Sequence, residues 1–175
     1  MFSFAGYFPK RLTPKDEWLK APQVKEIWSV STCISKGPTN WIDRWQHNEL
    51  WLFDTVASAE SVIPAAERSE FRILGYRLWD RIFDQGRDVE LAAEVKSLPE
   101  PDDGFTSVGF DAVEWAHHQF GCSPLSCNGG AKTIPTNEAC LFQTLEDALA
   151  GAKAFSTGNW EPGPYAVVEV LLSSR

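Results

Sequence analysis

No stretch of this chain is apolar and uncharged over the ~20 residues needed to cross a bilayer. The first eighteen residues, MFSFAGYFPKRLTPKDEW, lack the basic start, the apolar run and the small-residue cleavage site of a signal peptide. Basic residues are scarce in one half. Residues 88–175 hold four (Lys96, Lys132, Lys153, Arg175) against 13 Asp and Glu, whereas residues 1–87 hold 12 against 11. A surface of that sign repels phosphate backbones and anionic headgroups, which argues against nucleic acid and membrane as partners. The sequence also has no G-x-G-x-x-G, no P-loop, no H-E-x-x-H and no C-x-x-C, and no G-x-S-x-G elbow surrounds a cysteine. These absences leave the expectation of a soluble, cytoplasmic protein. In that compartment Cys33, Cys122, Cys127 and Cys140 are read as reduced thiols rather than as a disulfide framework.

What is present suits a single globular domain over residues 1–175: 43% apolar and 23% charged residues, with a net charge of −8. A chain of this length needs neither disulfide nor metal to hold a core. Two stretches, NELWLFDTVASA over 48–59 and NEACLFQTLEDA over 137–148, agree at six of twelve positions with an offset of 89. The same offset places Cys33 on Cys122, Ala65 on Ala154, Tyr76 on Tyr165 and Asp80 on Glu169. The pattern reads as an internal duplication, with candidate repeats 21–87 and 110–175 and a polar, proline-containing link at 98–104.

Local patterns give each repeat the same order of elements. In the first, residues 26–35 (EIWSVSTCIS) and 50–54 read as strands, 56–66 as a short helix, and 71–84 as a longer strand turning at Asp84-Gln85-Gly86. In the second, 109–115 and 139–143 read as strands and 145–155 as a helix capped by Thr144, with Asp147 three residues on and Gly158 past its end. The near-continuous apolar run at 164–172 (PYAVVEVLL) predicts a central strand. The expected fold is α+β: two similar ββαβ-like halves, with short helices packed on a mostly antiparallel sheet.

The segment at 117–130, HHQFGCSPLSCNGG, carries the densest chemistry. As a zinc site it offers Cys122, Cys127, His117 or His118, with Cys33 or Cys140 from a distance. The spacing of the cysteine pair is loose and no second close pair exists, so no metal and no cofactor are expected. As a nucleophilic site it offers Cys127 or Cys122 with His117 or His118 as base. The plainer reading is a strand in which Cys122 packs as a small apolar side chain, leading into turn residues Ser126, Asn128, Gly129 and Gly130.

Eight tryptophans exceed ordinary usage. Trp41 and Trp45, four apart in TNWIDRWQH, project from one face as core or as an anchor for a partner beside Arg44. Trp28, Trp51, Trp79 and Trp115 fall in strand-like segments and read as core. The functional expectation is an acidic protein-binding module, of the immunity or antagonist type, that docks a basic partner protein through Glu138, Glu146, Asp147 and Glu161 with Trp41 and Trp45 at the edge. The alternative is a Cys/His-dependent enzyme with its site at 117–130.

Overall fold

The computed structural model describes residues 1–14, 18–34, 36–38, 46–91, 97–117 and 119–174. Its centre is one antiparallel sheet in the order β1-β2-β6-β4-β5, with β3 paired to β2 as a hairpin. The strands are β1 Phe2–Arg11, β2 Phe71–Asp84, β3 Arg87–Glu90, β4 Phe105–Ala116, β5 Gln119–Phe120 and β6 Tyr165–Ser173. Two α-helices, α1 Val56–Ser61 and α2 Leu145–Phe155, accompany them, together with short 3-10 turns at Ala65–Glu70 and Gly130–Lys132. The mostly antiparallel sheet with a few short helices is the expected α+β class. Among the described residues no helix is long and apolar enough to cross a membrane.

β2, β6 and α2 follow from local pattern. β6 alternates little because it lies in the middle of the sheet, and Tyr165, Ala166, Val167, Val168 and Val170 are all fully buried. In α2 the Thr144 hydroxyl accepts from the Asp147 amide at 3.1 Å and donates to the Asp147 carboxylate at 2.6 Å, closing the helix start from both sides. Its Ala148, Ala152 and Phe155 form the buried stripe against β4 and β6. α1 is shorter than the expected 56–66: it ends at Ser61, and Pro64 introduces the 3-10 turn that follows.

Three expected strands are loops: two touch the sheet through isolated bridges, and the third, over its described residues 26–34, through side chains of the sheet. Residues 50–54 and 139–143 contain Trp51 and Cys140 at φ +63°, outside the extended region, and only Phe53 and Phe142 bridge to Tyr7 and Phe110. Their backbone amides go instead to an asparagine. Asn48 accepts from the amides of Leu50 and Leu52, and Asn137 from those of Ala139 and Leu141. In the third, the amides of Glu26, Ile27 and Trp28 bond to carbonyls of other loops, and residues 29–31 bond to side chains rather than to a neighbouring strand, as the next subsection shows.

The N-terminal strand β1 has no sequence expectation, since Gly6 and Pro9 interrupt its pattern. It is an edge strand, where a missing proline amide is tolerated. Gly6, at φ +140°, sits at a bulge in which a Cβ would lie 2.9 Å from the Phe53 carbonyl oxygen. Gly109, at φ +138°, sits at a second bulge, 2.7 Å from the Phe142 carbonyl oxygen by the same construction. The residue facing Gly6 across the sheet is Tyr76, and the residue facing Gly109 is Val170. Tyr165, which the constant offset of 89 aligned with Tyr76, faces Phe83 and Glu114 instead. Of the four tryptophans read as core, Trp28 and Trp115 are buried and Trp51 and Trp79 are half-buried.

Candidate functional site

Sheet register puts one lysine, one tyrosine and one aspartate on the same face. Lys10 faces Arg72, two residues before Leu74 and four before Tyr76, and Tyr76 faces Val170, whose near neighbour Val168 faces Asp111. Lys10, Tyr76 and Asp111 are all buried. A buried charge must be hydrogen-bonded, and here the partners come from two loops. The Lys10 ammonium donates to the carbonyls of Val30 at 3.1 Å and Ser31 at 2.7 Å. The Asp111 carboxylate accepts from the Ser29 hydroxyl at 2.8 Å, the Val30 amide at 2.9 Å and the Ser123 hydroxyl at 2.7 Å. Residues 29–31 therefore spend their polar groups on these two side chains, which is why EIWSVSTCIS is a loop despite its strand-like composition.

The same bonds place three thiols. The Cys33 amide donates to the Ser31 hydroxyl at 3.3 Å, and the Cys127 amide donates to the Ser123 carbonyl at 2.8 Å. The Cys127 thiol donates to the Ser31 hydroxyl at 3.3 Å and lies 3.8 Å from that of Ser126. Cys33 and Cys122 have their sulfurs 3.4 Å apart, and the sulfurs of Cys33, Cys122 and Cys127 all lie within 4.8 Å of one another. Cys33 is exposed, while Cys122 and Cys127 are half-buried. Cys140 lies outside the cluster, buried beside α2.

Burial lowers Lys10 to about 7, against the opposing field of Asp111, and raises Asp111 against its three hydrogen bonds. Desolvation works against a Cys33 thiolate, but hydrogen bonds with Ser31, Cys122 and Cys127 and the field of Lys10 outweigh it, and its pKa is lowered. Burial raises Cys122 well above the ordinary thiol value, its contact with Cys33 adding to the effect, and burial also raises Cys127. Cys33 is thus the exposed member of the cluster and the one whose ionised form its neighbours favour.

Beside it lies a cavity of about 250 Å³, lined by Phe8, Val30, Thr32, Tyr76, Gln119 and Phe120 among others. Thr32 directly precedes Cys33, and Phe120 stands two residues before Cys122, so the loops that carry the thiols also form the cavity wall. The Tyr76 hydroxyl is buried and has no hydrogen-bond partner among the described residues.

Of the residues expected to act, Cys122 and Cys127 are brought together. His117 is exposed at φ +51° in the turn between β4 and β5 and is not part of the cluster. His118, Trp41 and Trp45 lie outside the described residues. The acidic residues are spread out. Glu146 and Asp147 stand exposed on the first turn of α2, whereas Glu161 comes six residues after the helix ends at Phe155. Glu161 is half-buried, its carbonyl accepting from the Tyr165 hydroxyl, and Glu138 pairs with Lys25 at 2.6 Å. Sequence reasoning overlooked Lys10, Asp111, Ser31 and Ser123. Nothing local marked the first two, since Lys10 stands next to Arg11 at a strand end and Asp111 shares its strand with Glu114.

Compared with protein-family models, with curated protein sequences and with solved structures, the chain finds no match in any of the three, so the functional reading rests on this geometry.

Proposed function

We propose that the protein acts through a dithiol–disulfide redox centre formed by Cys33 and Cys122. The observation that carries this reading is the 3.4 Å separation of the two sulfurs with Cys33 on the exposed side. A disulfide needs about 2.05 Å, so modest side-chain rotation closes the bond. The Cys33 thiolate attacks one sulfur of a substrate disulfide, forming a mixed disulfide and expelling the other sulfur as a thiolate. The Cys122 thiol gives its proton to that leaving thiolate and attacks the Cys33 sulfur. The Cys33–Cys122 disulfide forms, the second substrate thiolate leaves, and two electrons have passed from the pair to the substrate. Cys127 and Ser31 support the Cys33 thiolate, and Lys10 and Asp111 hold the two loops in register. The apolar cavity at Thr32 and Phe120 offers a place for the organic part of a small aromatic disulfide.

The test uses protein in which Cys127 and Cys140 are serine, treated with 5,5′-dithiobis(2-nitrobenzoate). The expected result is two thiolates released per chain and no retained adduct. With Cys122→Ser added, one thiolate is released and the adduct stays on Cys33. Adducts retained on both cysteines of the parent protein would refute the reading.

The acidic docking surface remains a second proposal, supported by the exposure of Glu146 and Asp147 on α2. A basic partner protein bound there should be released as salt rises and lost on E146K/D147K. Binding indifferent to both would remove this reading.

We also infer that the two halves descend from one duplicated unit. Support comes from the matching asparagine loops at Asn48 and Asn137, the matching threonine caps at Thr55 and Thr144, and the matching bulges at Gly6 and Gly109. A chimera carrying residues 137–144 in place of 48–55 should fold cooperatively, and failure to fold would count against common descent.

A further inference from the structure

The proposed redox pair uses two of three clustered thiols, and the third has geometry of its own. Around a tetrahedral zinc with bonds of about 2.3 Å, thiolate sulfurs sit about 3.8 Å apart. The sulfurs of Cys33, Cys122 and Cys127 span 3.4 Å to at most 4.8 Å and bracket that value. All three are carried on hydrogen-bonded loops: Cys127 through its amide to the Ser123 carbonyl, Cys33 through its amide to the Ser31 hydroxyl, and Cys122 through its carbonyl, which accepts from the Glu114 amide, while Asp111 ties the Ser29 and Ser123 segments together. The hydroxyls of Ser31 and Ser126 lie beside the Cys127 sulfur, where they can donate to it once it is a ligand.

Charge points the same way. Three ionised thiols beside the buried Asp111 would gather more negative charge than the Lys10 ammonium offsets, in a site that is partly out of water. Only retained protons or a bound cation can compensate, and thiolate sulfur is a soft ligand that selects soft or borderline ions.

We propose that the reduced protein binds one zinc ion through the thiolates of Cys33, Cys122 and Cys127, with the fourth position open on the exposed side of Cys33. Three protein ligands with an open position is the arrangement of reactive zinc sites rather than closed structural ones. The inference rests on the thiol reading, because the Cys33–Cys122 disulfide removes two of the three ligands. Zinc therefore caps the dithiol, and oxidation of the pair releases the ion: the zinc–sulfur bonds to Cys33 and Cys122 break as their sulfurs join, the remaining bond to Cys127 breaks as that thiolate takes a proton from water, and a disulfide oxidant takes up the two electrons and is reduced to two thiols.

The experiment titrates reduced, metal-free full-length protein with zinc against a chromophoric chelator, and with cadmium followed by thiolate charge-transfer absorption. The expected result is one ion per chain, with affinity lowered at least about tenfold in each of C33S, C122S and C127S and unchanged in C140S, whose sulfur lies outside the cluster. Circular dichroism of each variant shows whether it is folded. C127S separates the two claims: it removes one zinc ligand and one hydrogen bond to the Cys33 sulfur, so zinc affinity should fall while Cys33 and Cys122, slower to react than in the wild type, still close to a disulfide. Absence of stoichiometric binding in the folded wild type, or binding unaffected by C127S, would overturn the zinc site and leave the redox reading standing.

Discussion

Asn48 and Asn137 make the same set of hydrogen bonds at two separate places in the fold. Each accepts through Oδ1 from the amides two and four residues ahead, and each donates through Nδ2 to a strand carbonyl beside a bulge: Ala5 at 3.0 Å for Asn48 and Val108 at 2.8 Å for Asn137. One side chain thus supplies the partners a strand neighbour would have given. N137A removes three bonds at once, each worth about 1 kcal/mol net. A loss of about 2–4 kcal/mol in urea denaturation is expected, and a smaller one for N137D, which keeps the acceptor.

Gly109 carries both a backbone conformation that L side chains rarely adopt and a close carbonyl. G109A should therefore destabilise by more than about 1 kcal/mol. Equilibrium unfolding compared with A112G, a change within the same strand, measures the difference between a positional requirement and ordinary strand weakening.

These bonds explain what the sequence could and could not disclose. The helix at 145–155 was legible down to its cap because every signal for it is local; β2 was legible from its aromatic and branched apolar residues ending at the Asp84-Gln85-Gly86 turn, and β6 from a run broken only by Glu169. β1 was hidden by Gly6 and Pro9, which a bulge and a sheet edge accommodate. Residues 26–35 misled because composition reports β-branched and aromatic content, whereas Ser29, Val30 and Ser31 bond to Lys10 and Asp111 from distant strands. Cys33 and Cys122 were read as counterparts in two strands. Instead they touch, and their separation of 89 positions kept the loose Cys122 and Cys127 spacing from showing its third member.

Thiol reactivity should follow exposure and environment rather than the density of the 117–130 segment. With iodoacetamide at neutral pH, peptide mapping should find Cys33 alkylated first and Cys140 last. Cys140 is buried and its pKa is pushed up to about 12 by burial. First labelling at Cys127 would place the reactive thiolate elsewhere in the cluster.

Lys10 gives stability a definite pH dependence. The unfolded chain holds its proton up to about 10.5, whereas burial lowers the folded value to about 7. Below pH 7 both states are protonated and the folded state bears the whole cost of the buried ammonium. Above pH 7 the unfolded state binds more protons, so stability rises with pH, by up to about 1.4 kcal/mol per unit. The groups around it are Asp111, Cys33 and Cys127. Measurement between pH 7 and about 7.5 keeps the thiols of the unfolded chain, which ionise at about 8.5, mostly protonated. Urea midpoints should climb across that window in the wild type and climb less in K10M. Equal slopes would mean that Lys10 stays charged in the folded protein throughout.

The most direct test of the redox centre is a titration of the metal-free protein through a series of reduced-to-oxidised glutathione ratios, quenched with acid and mapped by mass spectrometry. The account predicts a single two-electron transition in which the Cys33 and Cys122 peptides become linked to each other while Cys140 stays a free thiol. A transition that links any other pair, or Cys33 and Cys122 remaining separate at the most oxidising ratio, would contradict it.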